Sequence, residues 1–151
     1  MPDLFPDNMN YSDNIIEDTS SSDTEYKGSY KFDFDKNEFV KNSDGSTVKC
    51  SDAEAYKQWC QLAMATPLGL LGYSNLFGHE LNTLTGSQYS KGAVELEVKR
   101  MTIEALMVNP RTKDVTDFKF IWQNSGELYY QYTVVSVDNV FLNLDNTAKV
   151  W

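Results

Sequence analysis

The chain has 151 residues, of which 41% are hydrophobic and 13% aromatic, enough for one folded domain with a substantial core. Its net charge of −9 argues against nucleic acid or an anionic membrane surface as a main partner, because both attract clustered Lys and Arg. No stretch approaches the roughly 18 apolar residues of a membrane span, and the sequence begins without the basic and apolar segments of a secretory signal. We therefore expect a folded soluble protein that neither binds nucleic acid nor inserts into a membrane.

Residues 1–26 differ from the rest of the chain in composition. They contain no Lys or Arg, and they carry seven Asp or Glu side chains around a run of three serines. A segment of this kind cannot bury enough apolar surface to fold alone. We expect an acidic arm over residues 1–28, which is either solvated or becomes ordered against a partner through Leu4 and Phe5 or Ile15 and Ile16.

From residue 29 the sequence is typical of a folded domain, which we place at residues 29–138. Tyr30, Phe32 and Phe34 alternate with polar residues, and turn-forming residues follow at 43–45, which predicts a β-hairpin or small meander. Ser51 and Glu54 have the spacing of a capping box, which predicts a helix that ends at residues 66–67. Residues 68–92 hold five glycines among apolar residues and are predicted to form an ordered loop with short helical turns.

The second half of the domain is predicted to form one helix followed by strands. Apolar residues recur at helical spacing over 92–108, and alternating patterns typical of strands follow over 116–122 and 127–137, with a turn at 123–126. A further strand is predicted at 140–144, within a C-terminal strand or extension at residues 139–151. The predicted fold is α+β, with two main helices packed on a mainly antiparallel sheet, an N-terminal β-hairpin and an acidic N-terminal arm.

Asn109, Pro110 and Arg111 form the corner between the predicted second helix and the strand that follows it. Pro110 disfavours a helical backbone at Asn109 and lacks the donor that a continuing helix needs. Arg111 has a planar guanidinium that suits bidentate pairing with a carboxylate. A fixed arginine at such a corner indicates a docking element rather than a catalytic one.

The sequence offers little for catalysis or metal binding. His79 is the only histidine, so a site with two histidine ligands cannot be built, and neither a calcium-loop nor a phosphate-loop spacing occurs. Cys50 and Cys60 are expected to be free thiols of a reducing cytosol, with Cys60 buried in a helix. We expect no catalytic residue, no metal and no cofactor. Two alternatives stay open: a small hydrolase that uses His79 with Cys60 or an acidic residue, and a small acidic adaptor of the cytosol that binds proteins through its hairpin.

Residues 101–111, followed by a strand rich in tyrosine, resemble the sheath-initiator family of contractile tails. These proteins are small baseplate wedge components of contractile phages, phage-like particles and tailocins. The glycine-containing segment 72–81 is similar to the family's loop ahead of the second helix. The family's hallmark is a helix that ends in Glu-Pro-Arg. Asn109 replaces the Glu in this chain, whereas Pro110 and Arg111 match the family.

The resemblance implies a structural role in a baseplate that is assembled in the bacterial cytoplasm. Six copies would surround the tail tube at the base of the sheath, in contact with sheath protein, baseplate wedge proteins and the tail tube or tube-initiator protein. Asn109, Pro110 and Arg111 would form the wedge-docking corner. The hairpin at 116–137, alone or together with residues 140–150, would offer a sheet edge to the first sheath ring. A tube or hub-adjacent protein of the same particle would share these partners but lack the docking corner. The residues implied to face the sheath are Tyr129, Gln131, Thr133, Val135, Val140 and Leu142.

Overall fold

The computed structural model describes residues 28–151, so the predicted acidic arm lies outside the described residues except for its last residue. In the described part of the chain, two helices, α1 (Asp52–Ala65) and α2 (Lys91–Met107), accompany five strands and a short 3₁₀ helix at Leu81–Leu84. The strands are β1 (Phe32–Asp33), β2 (Glu38–Phe39), β3 (Thr112–Trp122), β4 (Glu127–Ser136) and β5 (Phe141–Lys149). The predicted α+β class, with two helices, an antiparallel sheet and an N-terminal hairpin, is confirmed.

Both helices begin at serine residues, which cap amides that have no partner within the helix. The Ser51 side chain accepts a hydrogen bond from the Glu54 N–H, and the Glu54 carboxylate accepts one from the Ser51 N–H, so the predicted capping box is present. Ser90 caps α2 through the Ala93 N–H. The helix predicted at 92–108 is therefore confirmed, displaced by one residue at each end.

The long strands form an antiparallel sheet with β4 in the centre. β5 pairs with β4 without interruption over its whole length, so the strand predicted at 140–144 is longer than expected and ends at Lys149. β3 begins at Thr112 rather than at the predicted residue 116, because pairing with β4 starts directly after the corner. The predicted C-terminal extension is thus the third strand of the sheet.

The hydrophobic core lies between the helices and one face of this sheet. Alternate residues of β4 point into it, as their period of two requires, and these buried side chains are Leu128, Tyr130, Tyr132 and Val134. The Tyr130 hydroxyl lies 3.2 Å from Oγ1 of Thr102 on α2, so two buried polar groups satisfy each other. Phe118 of β3 stacks on Tyr132 with ring centroids 5.7 Å apart. The odd-numbered residues of β4, from Glu127 to Val135, form the outer face of the sheet.

The N-terminal hairpin is fastened to α1 by Gln58. Its side-chain oxygen accepts the Phe32 N–H at 2.8 Å, and its nitrogen donates to the Tyr30 carbonyl at 2.9 Å. An isolated bridge between Lys41 and Thr47 continues the pairing beyond β2. The β1–β2 hairpin is therefore extended into a small meander before α1.

Candidate functional site

The corner between α2 and β3 is shaped by Asn109. Its side-chain oxygen accepts the Arg111 N–H at 2.9 Å, and its backbone carbonyl accepts the Thr112 N–H at 2.9 Å. Asparagine side chains favour turns by this kind of local hydrogen bond, and Pro110 is exposed at the tip. Asn109, which stands where the resemblance gives Glu, therefore uses its side chain to shape the turn.

The guanidinium of Arg111 is directed into the protein rather than away from the corner. Its two terminal nitrogens each lie 2.7 Å from a carboxylate oxygen of Asp52 at the start of α1, which makes a bidentate ion pair. Nε lies 3.2 Å from a carboxylate oxygen of Asp138 in the β4–β5 turn. This contact is an ion pair, but its angle is not that of a hydrogen bond. The guanidinium carbon lies 5.0 Å from the centre of the Tyr56 ring. We name these four residues the arginine clamp.

In the arginine clamp the guanidinium is largely buried, whereas the two carboxylates are exposed to solvent. The Arg111 side chain is 15% exposed, whereas the side chains of Asp52 and Asp138 are 56% and 59% exposed. The hydrogen bonds to Asp52 raise the pKa of Arg111, and burial opposes this rise only in part. Burial raises the pKa of Tyr56 to about 12, so its hydroxyl stays protonated and lies 2.7 Å from Oγ1 of Thr112. With one cation and two carboxylates, the clamp presents a net negative charge to solvent.

The sequence did not identify Asp52 and Asp138 as the partners of Arg111, because only folding brings these residues together. Asp52 lies 59 positions away along the chain. The one signal available was its place in the first turn of a predicted helix, where acidic residues are favoured by the helix dipole. A partner that docks at the corner must therefore approach an arginine whose charge is already paired within the chain.

Four of the six residues implied to face the sheath share the outer face of β4. They are Tyr129, Gln131, Thr133 and Val135, each half-buried or exposed, in the alternation that the sequence predicted. Because β4 has a neighbour on each side, these residues form a face and not an edge. The expectation that the hairpin at 116–137 offers the free edge is therefore wrong for β4.

Among residues 28–151, β5 lies at an edge of the sheet and has a neighbouring strand only on its β4 side. The Ser136 N–H donates to the Val140 carbonyl at 3.0 Å. Because hydrogen-bonded and non-hydrogen-bonded pairs alternate along an antiparallel ladder, this bond determines which residues of β5 direct their N–H and C=O groups toward β4. By this alternation the N–H and C=O groups of residues 141, 143 and 145 point away from the sheet. No hydrogen bond within residues 28–151 reaches them, whereas the next outward groups, the Thr147 N–H and the Lys149 carbonyl, are bound by side chains.

The other two residues implied to face the sheath do not share the outer face. Val140 precedes β5, and Leu142 packs against the core. The side chains on the outer face of β5 are instead those of Phe141, Asn143, Asp145, Thr147 and Lys149, which are all exposed.

The opposite edge of the sheet, along β3, is irregular. Two register shifts interrupt its pairing with β4, and Asp117 has a left-handed φ of 55°. The Asp114 carboxylate also accepts the N–H of Val115 at 2.8 Å. Bulges of this kind protect an edge strand from pairing with another chain. Within the described residues, the regular free edge of this sheet thus belongs to β5.

His79 and Cys60 have the properties of structural residues. Nδ1 of His79 accepts the Leu81 N–H at 3.1 Å, and burial lowers the pKa of His79, so the imidazole is neutral at pH 7. Burial raises the pKa of Cys60 to about 12, so its thiol is protonated and unreactive at that pH. Cys50 and Cys60 are both free thiols, as predicted.

Across residues 28–151, no group of three or more His, Cys, Asp or Glu side chains is placed to hold a metal ion. The helices described there are too short or too polar to cross a membrane.

The part of the chain from residue 28 onward is an α+β fold, with a regular open edge at β5 and a helix-to-strand corner held by the arginine clamp. The family model for the contractile injection system sheath initiator matches residues 28–139, and the chain belongs to this family. Its role is therefore structural and lies in the baseplate and sheath of a contractile injection system. The match ends just before β5, which completes the sheet. Comparison with curated proteins finds no match.

A solved structure shares this fold. It is the crystal structure of a Geobacter sulfurreducens protein described as a candidate tail lysozyme, with a TM-score of 0.58 and 15% sequence identity. The match covers 70% of this chain and 97% of the other. At that identity the likeness concerns the fold alone.

Proposed function

We propose that this chain starts sheath assembly by offering the free edge of β5 to a strand of the first sheath ring. Its family places it in a contractile injection system, and the open edge at residues 141–145 is the observation that carries the proposal. Strand addition uses main-chain hydrogen bonds and register, so it needs no catalytic group. The outer face of β4, one strand away, is placed to contact the sheath subunit that supplies the strand.

The side chains beside the edge suit an incoming strand of defined character. Phe141 provides an exposed apolar contact where the edge begins. Asn143 is held by a hydrogen bond of 2.9 Å from the Thr133 hydroxyl to its side-chain oxygen. Asp145 makes no ion pair within residues 28–151. Since neighbouring strands favour apolar and opposite-charge pairs, the sheath strand should place an apolar residue near Phe141 and a Lys or Arg near Asp145.

The second part of the proposal is that the corner at residues 109–111 docks on a baseplate wedge protein. Pro110 is exposed at the tip, and the arginine clamp beside it carries a net negative charge. A wedge segment with a Lys or Arg can pair with Asp52 or Asp138. Arg111 is then a positioning residue, which holds the corner against α1 and the β4–β5 turn. The corner that docks on the wedge and the β5 edge that receives the sheath strand are thereby held in a fixed position and orientation relative to each other.

The proposal extends to the arrangement of the particle. Six copies would surround the tail tube, touch the tube or its initiator, and be assembled with the baseplate in the bacterial cytoplasm. The chain would act without catalysis, in keeping with the neutral imidazole of His79 and the protonated thiol of Cys60.

Proline at position 143 tests the sheet edge. Asn143→Pro removes an N–H that points away from β4, and edge strands tolerate proline at such positions. The matched control, Asn143→Ala, loses the same side-chain hydrogen bond but keeps the N–H. Electron microscopy of purified particles should show sheath-free baseplates with Asn143→Pro and normal sheaths with Asn143→Ala.

Both variants must first be shown by circular dichroism to be folded, and by mass spectrometry to be present in the baseplate. Sheaths of normal length on Asn143→Pro baseplates would contradict the proposal.

A further inference from the structure

The loop between α1 and the 3₁₀ helix exposes leucines that the surfaces described above do not use. Residues 67–78 contain no charged side chain, in a chain with a net charge of −9. Leu71 is 97% exposed, Leu76 68% and Leu70 49%. Single exposed apolar residues are ordinary, but three in one uncharged loop indicate a contact surface. We name this segment the leucine loop.

The base of the leucine loop is closed by backbone hydrogen bonds. The Leu68 N–H donates to the His79 carbonyl at 2.8 Å, and the His79 N–H donates to the Thr66 carbonyl at 2.9 Å. Gly78 has a φ of +117°, and a Cβ at this position would lie 2.6 Å from the Thr66 carbonyl oxygen. Only glycine at position 78 lets the backbone come this close to Thr66, so this glycine allows the hydrogen bonds that join the two ends of the loop.

Aromatic residues anchor the leucine loop to α1. Phe77 stacks on Tyr73 with ring centroids 5.0 Å apart, and it meets Trp59 of α1 edge to face at 5.6 Å. The loop therefore uses its aromatic side chains for its own attachment and leaves its leucines toward solvent. A fixed apolar surface binds a partner at a lower entropic cost than a mobile one.

A groove of about 260 Å³ separates the leucine loop from the last turns of α2. Leu68 and Leu76 line its loop side, and Val108 lines its helix side. Val108 precedes the corner at residues 109–111, so groove and corner form one continuous surface.

The groove has an excess of negative charge. Glu80 and Glu104 both line it. A single guanidinium, that of Arg100, binds Glu97 at 2.8 Å and Glu104 at 2.7 Å, which leaves this trio with a net negative charge. Glu80 makes no ion pair within residues 28–151. Complementary charge in a partner would be basic.

We propose that the leucine loop and its groove bind an amphipathic helix of a second baseplate protein, with apolar residues on the buried side and Lys or Arg beside them. The backbone groups at the base of the loop are paired with each other. Before its last turn α2 pairs its backbone groups within the helix, and in that turn the Leu106 carbonyl accepts the Asn109 N–H at 3.3 Å. A partner therefore binds mainly through side chains, and a helix does so while its own backbone stays hydrogen-bonded. That the partner belongs to the baseplate rests on the proposed function.

The acidic arm of the chain itself is a poorer occupant. Residues 1–26 carry seven acidic side chains and no basic one. They would place carboxylates against Glu80 and Glu104, whereas a basic helix would neutralise them.

Photo-cross-linking in assembled particles tests this inference. A benzophenone amino acid replaces Leu76 in the full chain, and the matched control replaces Leu96, which is equally exposed on α2 (70% against 68%) but does not line the groove. Purified particles are irradiated and digested, and cross-linked peptides are sequenced by mass spectrometry. We expect position 76, but not position 96, to cross-link to an apolar helical segment of another baseplate protein that is flanked by Lys or Arg.

Other products would overturn the inference. These are a cross-link from position 76 to residues 1–27, to a second copy of the chain or to the sheath protein, and the lack of any cross-link beyond the control. Benzophenone at Asn143 separates this inference from the proposed function, because it should reach the sheath. A sheath cross-link at position 143 with none at position 76 would overturn only the proposal for the leucine loop. Particles that assemble without this chain would overturn both proposals.

Discussion

Replacing Arg111 by alanine should destabilise the isolated protein, because the arginine clamp joins three separate parts of the chain. The substitution removes two hydrogen bonds to Asp52, of 2.7 Å each, and the contact with the Tyr56 ring. Hydrogen bonds to charged groups contribute about 1.5–3 kcal/mol each. Because Asp52 is more than half exposed, we count only about 1–2 kcal/mol for both together. The ring contact adds about 0.5–1 kcal/mol, so the free energy of unfolding should fall by about 2 kcal/mol.

Urea unfolding followed by tryptophan fluorescence measures this loss, and the midpoint of thermal unfolding should fall by about 4–8 °C. Arg100→Ala is the matched control, since Arg100 also binds two carboxylates but lies on the exposed surface of α2. Arg100→Ala should cost much less stability than Arg111→Ala, because exposed ion pairs along a helix contribute little. Arg111→Lys keeps the charge without the planar fork, so its loss of unfolding free energy should lie between those of Arg111→Ala and Arg100→Ala. A loss in Arg111→Ala no greater than in Arg100→Ala would refute the reasoning.

Three other features give separate tests. Gly78→Ala should lower the thermal midpoint in calorimetry, because its Cβ would lie 2.6 Å from a backbone oxygen; Gly72→Ala, also at positive φ but with nothing within 4 Å, should lower it less, and equal shifts would contradict the close approach. In a Cys50→Ser variant, which removes the partly buried second thiol, a thiol reagent at neutral pH should modify Cys60 only after unfolding, since burial raises its pKa to about 12; rapid labelling of Cys60 in the native protein would contradict that burial. The hydrogen bond from the Ser51 N–H, together with the ion pair to Lys31, lowers the pKa of Glu54 from its usual 4.5 to about 2, so this carboxylate stabilises the fold above pH 4.5 and loses that effect as the pH falls toward 2. The difference in thermal midpoint between the wild type and Glu54→Gln should narrow over that range, and a constant difference would argue against these two interactions of Glu54.

The helices could be predicted from the sequence because their signals are local. The capping box at Ser51 and Glu54 acts within one turn, and the apolar spacing over 92–108 continues for more than four turns. Neither signal depends on the order in which distant strands pair.

The strands were predicted less completely, for two physical reasons. The register shifts in β3 break its alternation near the corner, which hid residues 112–115 from a period-of-two pattern. β5 lies at the edge of the sheet with one face in solvent, so Asn143, Asp145 and Thr147 gave it the appearance of a polar tail. The buried positions Leu144 and Ala148 were the signal that could have extended it.

The candidate site shows the same limit. Pro110 made the corner recognisable, and the fork of Arg111 indicated pairing with carboxylates. Which carboxylates pair with it depends on where α1 and the β4–β5 turn are placed, and that is set by tertiary packing. The identity of the free strand likewise depends on strand order, which local patterns do not contain.

Cryo-electron microscopy of the purified particle tests the central claim most directly, namely that the β5 edge receives a strand from the sheath. We predict density for a strand of the first sheath ring paired with residues 141–145, in each copy of the chain, with the corner at residues 109–111 against a wedge protein. A chain at the base of the sheath whose β5 edge is open, or is paired with a protein other than the sheath, would contradict this claim.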